Sequence, residues 1–466
     1  MKAAFREVAD WCGAKEKLLL SADGDMLLSG VSTDTRTIKP GQLFVPLQGD
    51  NFDGHDYIQA ARDAGAAAAL WDSSVPLPPF DMPLIRVDNT LIALQALSVG
   101  YLQQLKAKIV AVTGSNGKTT TKDLVSSVLS TRYRVHKTEG NYNNHIGLPL
   151  TILSAPADTE VLVLEMGMSG KGEIAALSKI AKPDIAIITN VGESHLLQLG
   201  SRSNIARAKL EITEGLPAGG QLVYYGDEPL LSEQLAAMKL PDGVTAVTFG
   251  EKPGNDWIAR DIRVTAEETL FSVHGEASGD YELPVPGRHN AINALAAIVV
   301  GRLFHLSKEE ISAGLKALKL TGMRIERSFA SNGAVILNDA YNASPTSVKA
   351  AINLVEQLSG YNRKWIVLGD MLELGPDEAA FHAAIGRYLT VSKADRVLIF
   401  GPLSEHTYRE AKSNYPDGHV LYFKDKGMLI EELLKQLAPE DLVLVKASRG
   451  IRLEEIVTAL QRGARG

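Results

Sequence analysis

Unbroken apolar runs, each followed by a stretch in which apolar positions recur at helical spacing, mark the middle of this chain. Ile109-Val110-Ala111-Val112 is one such run and is followed by a helical pattern over 122–129; two more cover 161–165 and 184–190. A strand without polar alternation is buried on both faces, so this arrangement predicts a mostly parallel sheet covered by helices. Over 257–286 the period changes to two, which predicts antiparallel strands, and a helix is expected over 291–304.

The flanks read differently. Up to about residue 87 the pattern is of short strands, among them 43–47, and one helix over 56–64. The proline-rich segment 75–83 closes this region and reads as a boundary signal. From about 322 the chain opens with a hairpin, 325–330 and 334–338, across Ser331-Asn332-Gly333. Three strand–helix repeats follow on strands 365–368, 396–400 and 442–446, a second doubly wound unit. A chain of 466 residues exceeds what one core serves. The expected division is 1–87, 88–320 and 321–466.

The candidate chemistry begins where the first apolar run ends, at Thr113-Gly114-Ser115-Asn116-Gly117-Lys118-Thr119-Thr120. Glycines let backbone N–H groups turn inward, the helix N-terminus adds partial positive charge, and Lys118 follows at once. Together they make a polyphosphate cradle with the Thr119 hydroxyl placed for Mg²⁺. Val112 stands where the usual phosphate loop has its first glycine, so Gly114 and Gly117 alone build a shortened form. The plain alternative is a glycine turn opening an ordinary helix. The fold class is therefore α/β: a small mixed α/β N-terminal domain, a central domain of phosphate-loop type with a mostly parallel sheet, and a C-terminal Rossmann-like doubly wound domain.

In doubly wound sheets ligands sit beyond the carboxyl ends of strands, so the residues there are the candidates. Glu165 ends the second run; buried unpaired it would be costly, and a bound Mg²⁺ or a nearby Lys or Arg would satisfy it. His195 follows the third run and reads as a metal ligand or as a satisfied loop histidine. Lys209 reads as one charge on a helix face, because an ammonium cannot ligate a cation. Between 338 and 345, Ser344 and Pro345 suit a helix start, which leaves Asp339 and Asn342 unexplained. Lys446 and Arg449 set two cations after the last strand, where an anionic ligand could bind.

Composition narrows the classes. A content of 45% hydrophobic and 22% charged residues is ordinary for a globular chain, and a net charge of −7 offers no footprint for nucleic acid. Cys12 is the single cysteine, which excludes a disulfide framework and fits a reducing compartment. Charges near the start and the lack of any run of ~20 apolar residues argue against a signal peptide and against membrane insertion. The expected location is the cytoplasm.

Taken together, these residues resemble the Mur ligases, ATP-dependent amide-forming enzymes of bacterial cell-wall precursor synthesis. The resemblance runs over essentially the whole chain: the short cradle, Asn141-Tyr142-Asn143-Asn144-His145-Ile146-Gly147, Leu164-Glu165-Met166-Gly167, Gly287-Arg288-His289-Asn290, the 339–345 segment and Leu368-Gly369-Asp370-Met371-Leu372-Glu373-Leu374-Gly375. It implies an enzyme that joins D-alanyl-D-alanine to a UDP-N-acetylmuramoyl-tripeptide through an acyl phosphate. The alternatives are a sister ligase adding the third amino acid, or a folylpolyglutamate synthase.

The resemblance also implies roles. Gly114, Ser115, Asn116, Gly117, Lys118, Thr119 and Thr120 would hold the ATP phosphates, Thr119 and Glu165 one Mg²⁺, and His195 a second. Lys209 would be carbamoylated by CO₂ and become a carboxylate-like ligand, so Lys118, Glu165, His195 and Lys209 form the implied catalytic set. Asn290 would meet adenine, with Arg324 and Asp339 contacting the nucleotide from the third domain. Asp34-Thr35-Arg36 and Asp53-Gly54-His55 would embrace the uridine end of the sugar nucleotide, and Asn143 and Asn144 its diphosphate. Lys446, Ser448 and Arg449 would lie near the amine substrate. A monomer is expected, with the first domain gripping the sugar nucleotide and the third closing over ATP and the amine.

Overall fold

The apolar runs lie where their pattern requires, inside a sheet. Strand Lys108–Thr113 pairs in parallel with Val161–Glu165 on one side and Ile185–Ile188 on the other. Val110, Ala111, Leu162 and Ile187 are fully buried between helices on both faces. The structure, a computed structural model, describes residues 1–14, 16–18, 24–276 and 278–463.

Among the described residues the central sheet has nine strands, in the order Val135–Lys137, Val161–Glu165, Lys108–Thr113, Ile185–Ile188, Gln221–Tyr225, Thr245–Gly250, Trp257–Val264, Thr269–His274, Gly279–Leu283. The first seven run parallel; the eighth pairs antiparallel with the seventh and the ninth antiparallel with the eighth, as the change of period predicts. Three of its parallel strands escape the periodicity reading. Val135–Lys137 is an edge strand of half-buried residues, and Thr245–Gly250 begins with two exposed residues, so neither carries an unbroken apolar run. Gln221–Tyr225 is buried only over its centre. The helices also begin earlier than their apolar pattern shows, at Lys118 and Arg288, because their first turns face the site and are polar.

The third region forms a six-stranded sheet, Glu326–Phe329, Val335–Asp339, Leu442–Lys446, Lys364–Gly369, Arg396–Phe400, Val420–Phe423, parallel except for its first strand. Helix Pro345–Gln357 starts at Pro345, with Ser344 accepting from the Ser347 amide as its cap.

The N-terminal region forms a five-stranded sheet of strands two to five residues long. The helix expected over 56–64 divides into a tight turn at Gly54–Tyr57 and a helix at Ile58–Asp63. The proline-rich segment 75–83 is not a boundary. It connects Ala68–Asp72 to Leu84–Val87, which are parallel neighbours in one sheet, and the prolines serve a crossover that carries no helix. Helix Thr90–Leu105, capped by Asn89, then joins the first region to the second. Its buried face contributes Leu94 and Leu97 to one continuous core that holds Phe5 and Leu28 together with Leu162, Leu164 and Ile174. The small first sheet is thus seated on one face of the central one.

The opposite face carries a buried charge cluster behind the cradle. Asp123, on the cradle's helix, is fully buried and lies 2.7 Å from Lys137 Nζ and 3.2 Å from Lys122 Nζ. Its second oxygen accepts from the Thr321 amide at 2.8 Å, in the linker to the third sheet. Burial by itself would raise the Asp123 carboxyl's pKa; the two lysines and that amide override it and hold it below its ordinary value. Asp123→Ala is expected to cost about 3–5 kcal/mol of stability, because it strands two cations. Urea unfolding would measure it, and a loss under about 1 kcal/mol, the range of an exposed pair, would contradict the assignment.

Candidate active site

The cradle is built where strand Lys108–Thr113 gives way to helix Lys118–Leu129. Gly117 caps that helix with φ +79, and a Cβ on it would fall 2.6 Å from the Asn293 side chain. A Cβ on Gly114 would fall 1.8 Å from Thr189 Oγ1. The second approach is close because the next strand end braces the loop. Thr189 Oγ1 donates to Asn116 O at 2.6 Å, and Asn190 Oδ1 accepts from the Asn116 amide at 2.9 Å. Thr189 and Asn190 follow Ile185–Ile188 directly, the position where doubly wound sheets put ligand-facing groups, so strand ends are the signal that finds them.

Lys118 Nζ donates to Gly114 O at 2.8 Å. Desolvation pushes its ammonium below the usual range, opposed by the Glu165 carboxylate and reinforced by Arg324. Glu165 is 2% exposed and accepts from Thr119 Oγ1 at 2.7 Å and from Asn143 Nδ2 at 2.8 Å. Both donors are neutral. The two come together because Val112 and Glu165 are register partners, so both strands end at one level.

This arrangement answers whether the residues fit a divalent cation. A buried carboxylate bonded to neutral donors, beside a hydroxyl and the glycine loop, fits a divalent cation, and among the described residues no Lys or Arg lies at hydrogen-bond distance of it. Among the described residues no group of three or more His, Cys, Asp or Glu could hold a metal alone.

Around the cradle lies a cleft of about 730 Å³ between the central and third sheets. Ser115, Asn116, Gly117, Lys118, Thr119, Thr120, Asn143, Asn144, Glu165, His195, Asn290, Arg324, Asp339 and Lys446 all line it. Sequence reasoning passed over Asn190, His289, Tyr341 and Ser347, which line it too. Arg324 stacks on Tyr341, its guanidinium carbon 4.3 Å from the ring centre. The third region also touches the cradle directly, Ser344 Oγ donating to Asn116 Oδ1 at 3.1 Å. Asn290 is nearly buried and spends an amide hydrogen on Pro286 O at 2.8 Å, which leaves its oxygen for a ligand.

Other candidates stand apart. Lys446 and Arg449 do not present one anion site. Lys446 is neutralised by Asp339 at 2.6 Å and donates to Asn342 O at 2.8 Å, while Arg449 is largely exposed, outside the cleft lining, and paired with Glu454 at 2.9 Å. Ser448 Oγ accepts from the Leu372 amide at 2.9 Å and ties two loops of the third region. Thr35 and Arg36 also lie outside that lining, on an exposed turn where Arg36 holds the Asp34 carboxyl down at about 2. His55 is buried, its ring 2.6 Å from Asp53 and edge-on to Trp71, and this internal packing uses it fully.

Lys209, on helix Arg202–Leu210, is 1% exposed and does not line the cleft. Burial, with Lys118's charge, holds its ammonium well below the ordinary lysine range. His195 lines the cleft; burial and then Lys118 lower its pKa, which favours the neutral imidazole.

A parallel sheet, a phosphate cradle and an opposed buried carboxylate define the class, an α/β nucleotide-dependent enzyme. Comparison with known proteins narrows it. Residues 27–102 match the Mur ligase family catalytic domain, 112–301 the Mur ligase middle domain, and 323–449 the Mur ligase glutamate ligase domain. The UDP-N-acetylmuramoyl-tripeptide–D-alanyl-D-alanine ligase of Bacillus subtilis is 49% identical over 434 residues, 93% of each chain. A MurF crystal structure from Acinetobacter baumannii superposes with a TM-score of 0.88 at 27% identity over 99% of both chains. The MurF ligase of Thermotoga maritima in complex with ADP gives 0.81 at 29% identity, over 93% of this chain and 97% of that one. The chain belongs to the Mur ligase family.

Proposed function

We propose that this chain joins D-alanyl-D-alanine to a UDP-N-acetylmuramoyl-tripeptide at the expense of ATP, in the synthesis of peptidoglycan precursor. The observation that carries this is the 49% identity with the Bacillus subtilis ligase along 93% of both chains. Neither the sister ligase adding the third amino acid nor folylpolyglutamate synthase is supported at that level.

A carboxylate is a poor electrophile, and ATP supplies the activation. The peptide's terminal carboxylate attacks the γ-phosphorus, giving an acyl phosphate and ADP. The dipeptide's free amine then adds to the carbonyl, and phosphate leaves as the amide forms. Gly114 to Thr120 hold the phosphates and Lys118 follows the charge that builds on them; Glu165 and Thr119 would hold one Mg²⁺ and His195 a second. Such ions would supply Lewis-acid chemistry and neutralise phosphate charge. Asn290, Arg324 and Asp339 are assigned to the nucleotide. Thr35, Arg36, Asn143 and Asn144 are assigned to the sugar nucleotide, and Lys446 and Arg449 to the amine end.

The proposed division of labour follows 1–87 for the sugar nucleotide, 88–320 for ATP, and 321–466 for closure over ATP and the amine. An acyl phosphate hydrolyses readily, so closure serves to keep water out. Among the described residues no helix is long and apolar enough to cross a membrane. We assign the enzyme to the cytoplasm, as a monomer.

Lys209 is proposed to carry a carbamate. A neutral amine is the form that adds to CO₂, making an N–C bond and releasing a proton, and burial supplies that neutral form. Bicarbonate is expected to restore activity lost in CO₂-depleted buffer, and a small carboxylate to rescue part of the activity of Lys209→Ala. No bicarbonate effect together with a fully active Lys209→Ala would overturn this. The function as a whole is tested by ADP formation with tripeptide nucleotide and dipeptide, each omitted in turn; turnover without the dipeptide contradicts it.

A further inference from the structure

Two loops meet across the boundary between the central and third sheets, and each presents a residue in the left-handed region without being glycine. His195 has φ +64, and Glu373 has φ +64. Non-glycine residues are held there only where their surroundings demand it. What they share is each other: His195 Nδ1 lies 2.9 Å from Glu373 Oε2. The ring does not aim an N–H at that oxygen, so Nδ1 is a buried atom without a hydrogen bond, with a carboxylate in reach. The backbones meet as well, the Leu197 amide donating to Glu373 O at 3.3 Å. On the same central loop Glu193 accepts from Thr346 Oγ1 of the third region at 2.8 Å.

A carboxylate 2.9 Å from Nδ1 favours the tautomer with its proton on that nitrogen. Nε2 is left as the acceptor, on a ring that lines the cleft. Carboxylates that orient histidines in this way typically change affinity or activity at the site by about 10–100-fold when removed. Residues 195 and 373 belong to different sheets, so the pair exists only when the third region is seated.

We propose that Glu373 is a positioning residue for the reaction: it fixes the ring and proton of His195, and it does so only in the docked arrangement, so that readiness of the site depends on seating of the third region. This rests on the reading of His195 as a site residue. Nothing in it requires Glu373 to touch a substrate, and its side chain is 53% exposed. A carboxylate this exposed contributes little to folding, so removing it should leave melting nearly unchanged.

The test uses the full chain with Glu373→Ala, Glu373→Gln, His195→Ala and the double variant Glu373→Ala/His195→Ala. Two readouts are taken: steady-state kinetics, and Mn²⁺ titration in the presence of ADP followed by electron paramagnetic resonance. Glu373→Ala is expected to lower kcat and Mn²⁺ affinity each by about 10–100-fold. KM for the dipeptide should hold and Tm stay within about 2 °C. Glu373→Gln, which keeps an acceptor oxygen, should recover part of the loss. In the His195→Ala background, Glu373→Ala should cost nothing further. Additive losses, or a Glu373→Ala enzyme with normal kcat and Mn²⁺ affinity beside an impaired His195→Ala, would overturn the positioning role alone. A His195→Ala enzyme normal in both readouts would overturn the reading of His195 and this inference with it.

Discussion

Lys118→Ala is expected to slow ADP formation by about 10²–10³-fold, a loss of roughly 3–4 kcal/mol in transition-state stabilisation. The chemistry concentrates negative charge on the transferring phosphoryl group. On the proposed reading the cradle meets that charge with backbone N–H groups, which remain in the variant, and with the Lys118 ammonium, which does not. Lys118 Nζ rests on Gly114 O, within the loop it serves, and desolvation already weakens its hold on the proton. A bound triphosphate reverses that balance, since nearby negative charge favours the ammonium. Single-turnover quench experiments at saturating ATP isolate this step. A variant within a few-fold of normal would mean the cradle amides suffice and the lysine's place in the site is wrong.

Glu165→Ala is expected to lose activity on the same scale, and Glu165→Gln to fare no better. The second variant decides the cause. Asn143 Nδ2 and Thr119 Oγ1 are neutral donors to different oxygens of Glu165; a glutamine can keep the first bond on its oxygen and reverse the second, its NH2 donating to the Thr119 hydroxyl. If the carboxylate served only to tie strand to loop, Gln would restore most of the rate. If it serves to hold a cation beside the phosphates, its charge is the essential property and Gln fails with Ala. Calorimetric titration of Mn²⁺ with ADP gives the matching readout: both variants should weaken binding alike. Recovery of activity by Gln would reassign Glu165 to a structural role.

The meeting of Thr119 with Glu165 was legible in the sequence although 46 residues separate them. Both follow uninterrupted apolar runs, such runs become parallel neighbours, and parallel neighbours end on one side of the sheet. The cradle, the antiparallel strands beyond Trp257 and the doubly wound third region were readable for the same reason: local period reports local burial. Reading failed where burial is not local. The first sheet's strands are too short to show any period, and its core is completed by the central sheet, so the prolines at 75–83 looked like a border and are a crossover.

The docking of the third region was equally invisible. Ser344 on Asn116, Thr346 on Glu193 and Glu373 on His195 join positions 228, 153 and, by subtraction of the residue numbers, 178 apart. Each joins polar side chains on loops or at a helix start, where no periodicity exists to be read. Ser344 and Pro345 were legible as a helix start, and the structure adds a second use for the same hydroxyl, on the cradle. Lys446 and Arg449 illustrate the opposite error. Neighbours in sequence after a strand, they separate in space because one turns into the sheet to meet Asp339 and the other turns out to Glu454.

The central claim is that phosphate charge gathered at this cradle is used to make one amide bond. Labelled D-alanyl-D-alanine, UDP-N-acetylmuramoyl-tripeptide and ATP, followed together by mass spectrometry and phosphate release, test it in one tube. The expected result is one phosphate released per dipeptide incorporated into a lengthened sugar-nucleotide peptide, and none when the dipeptide is left out. Phosphate released at full rate without the dipeptide, or label that never enters the lengthened product, would contradict it.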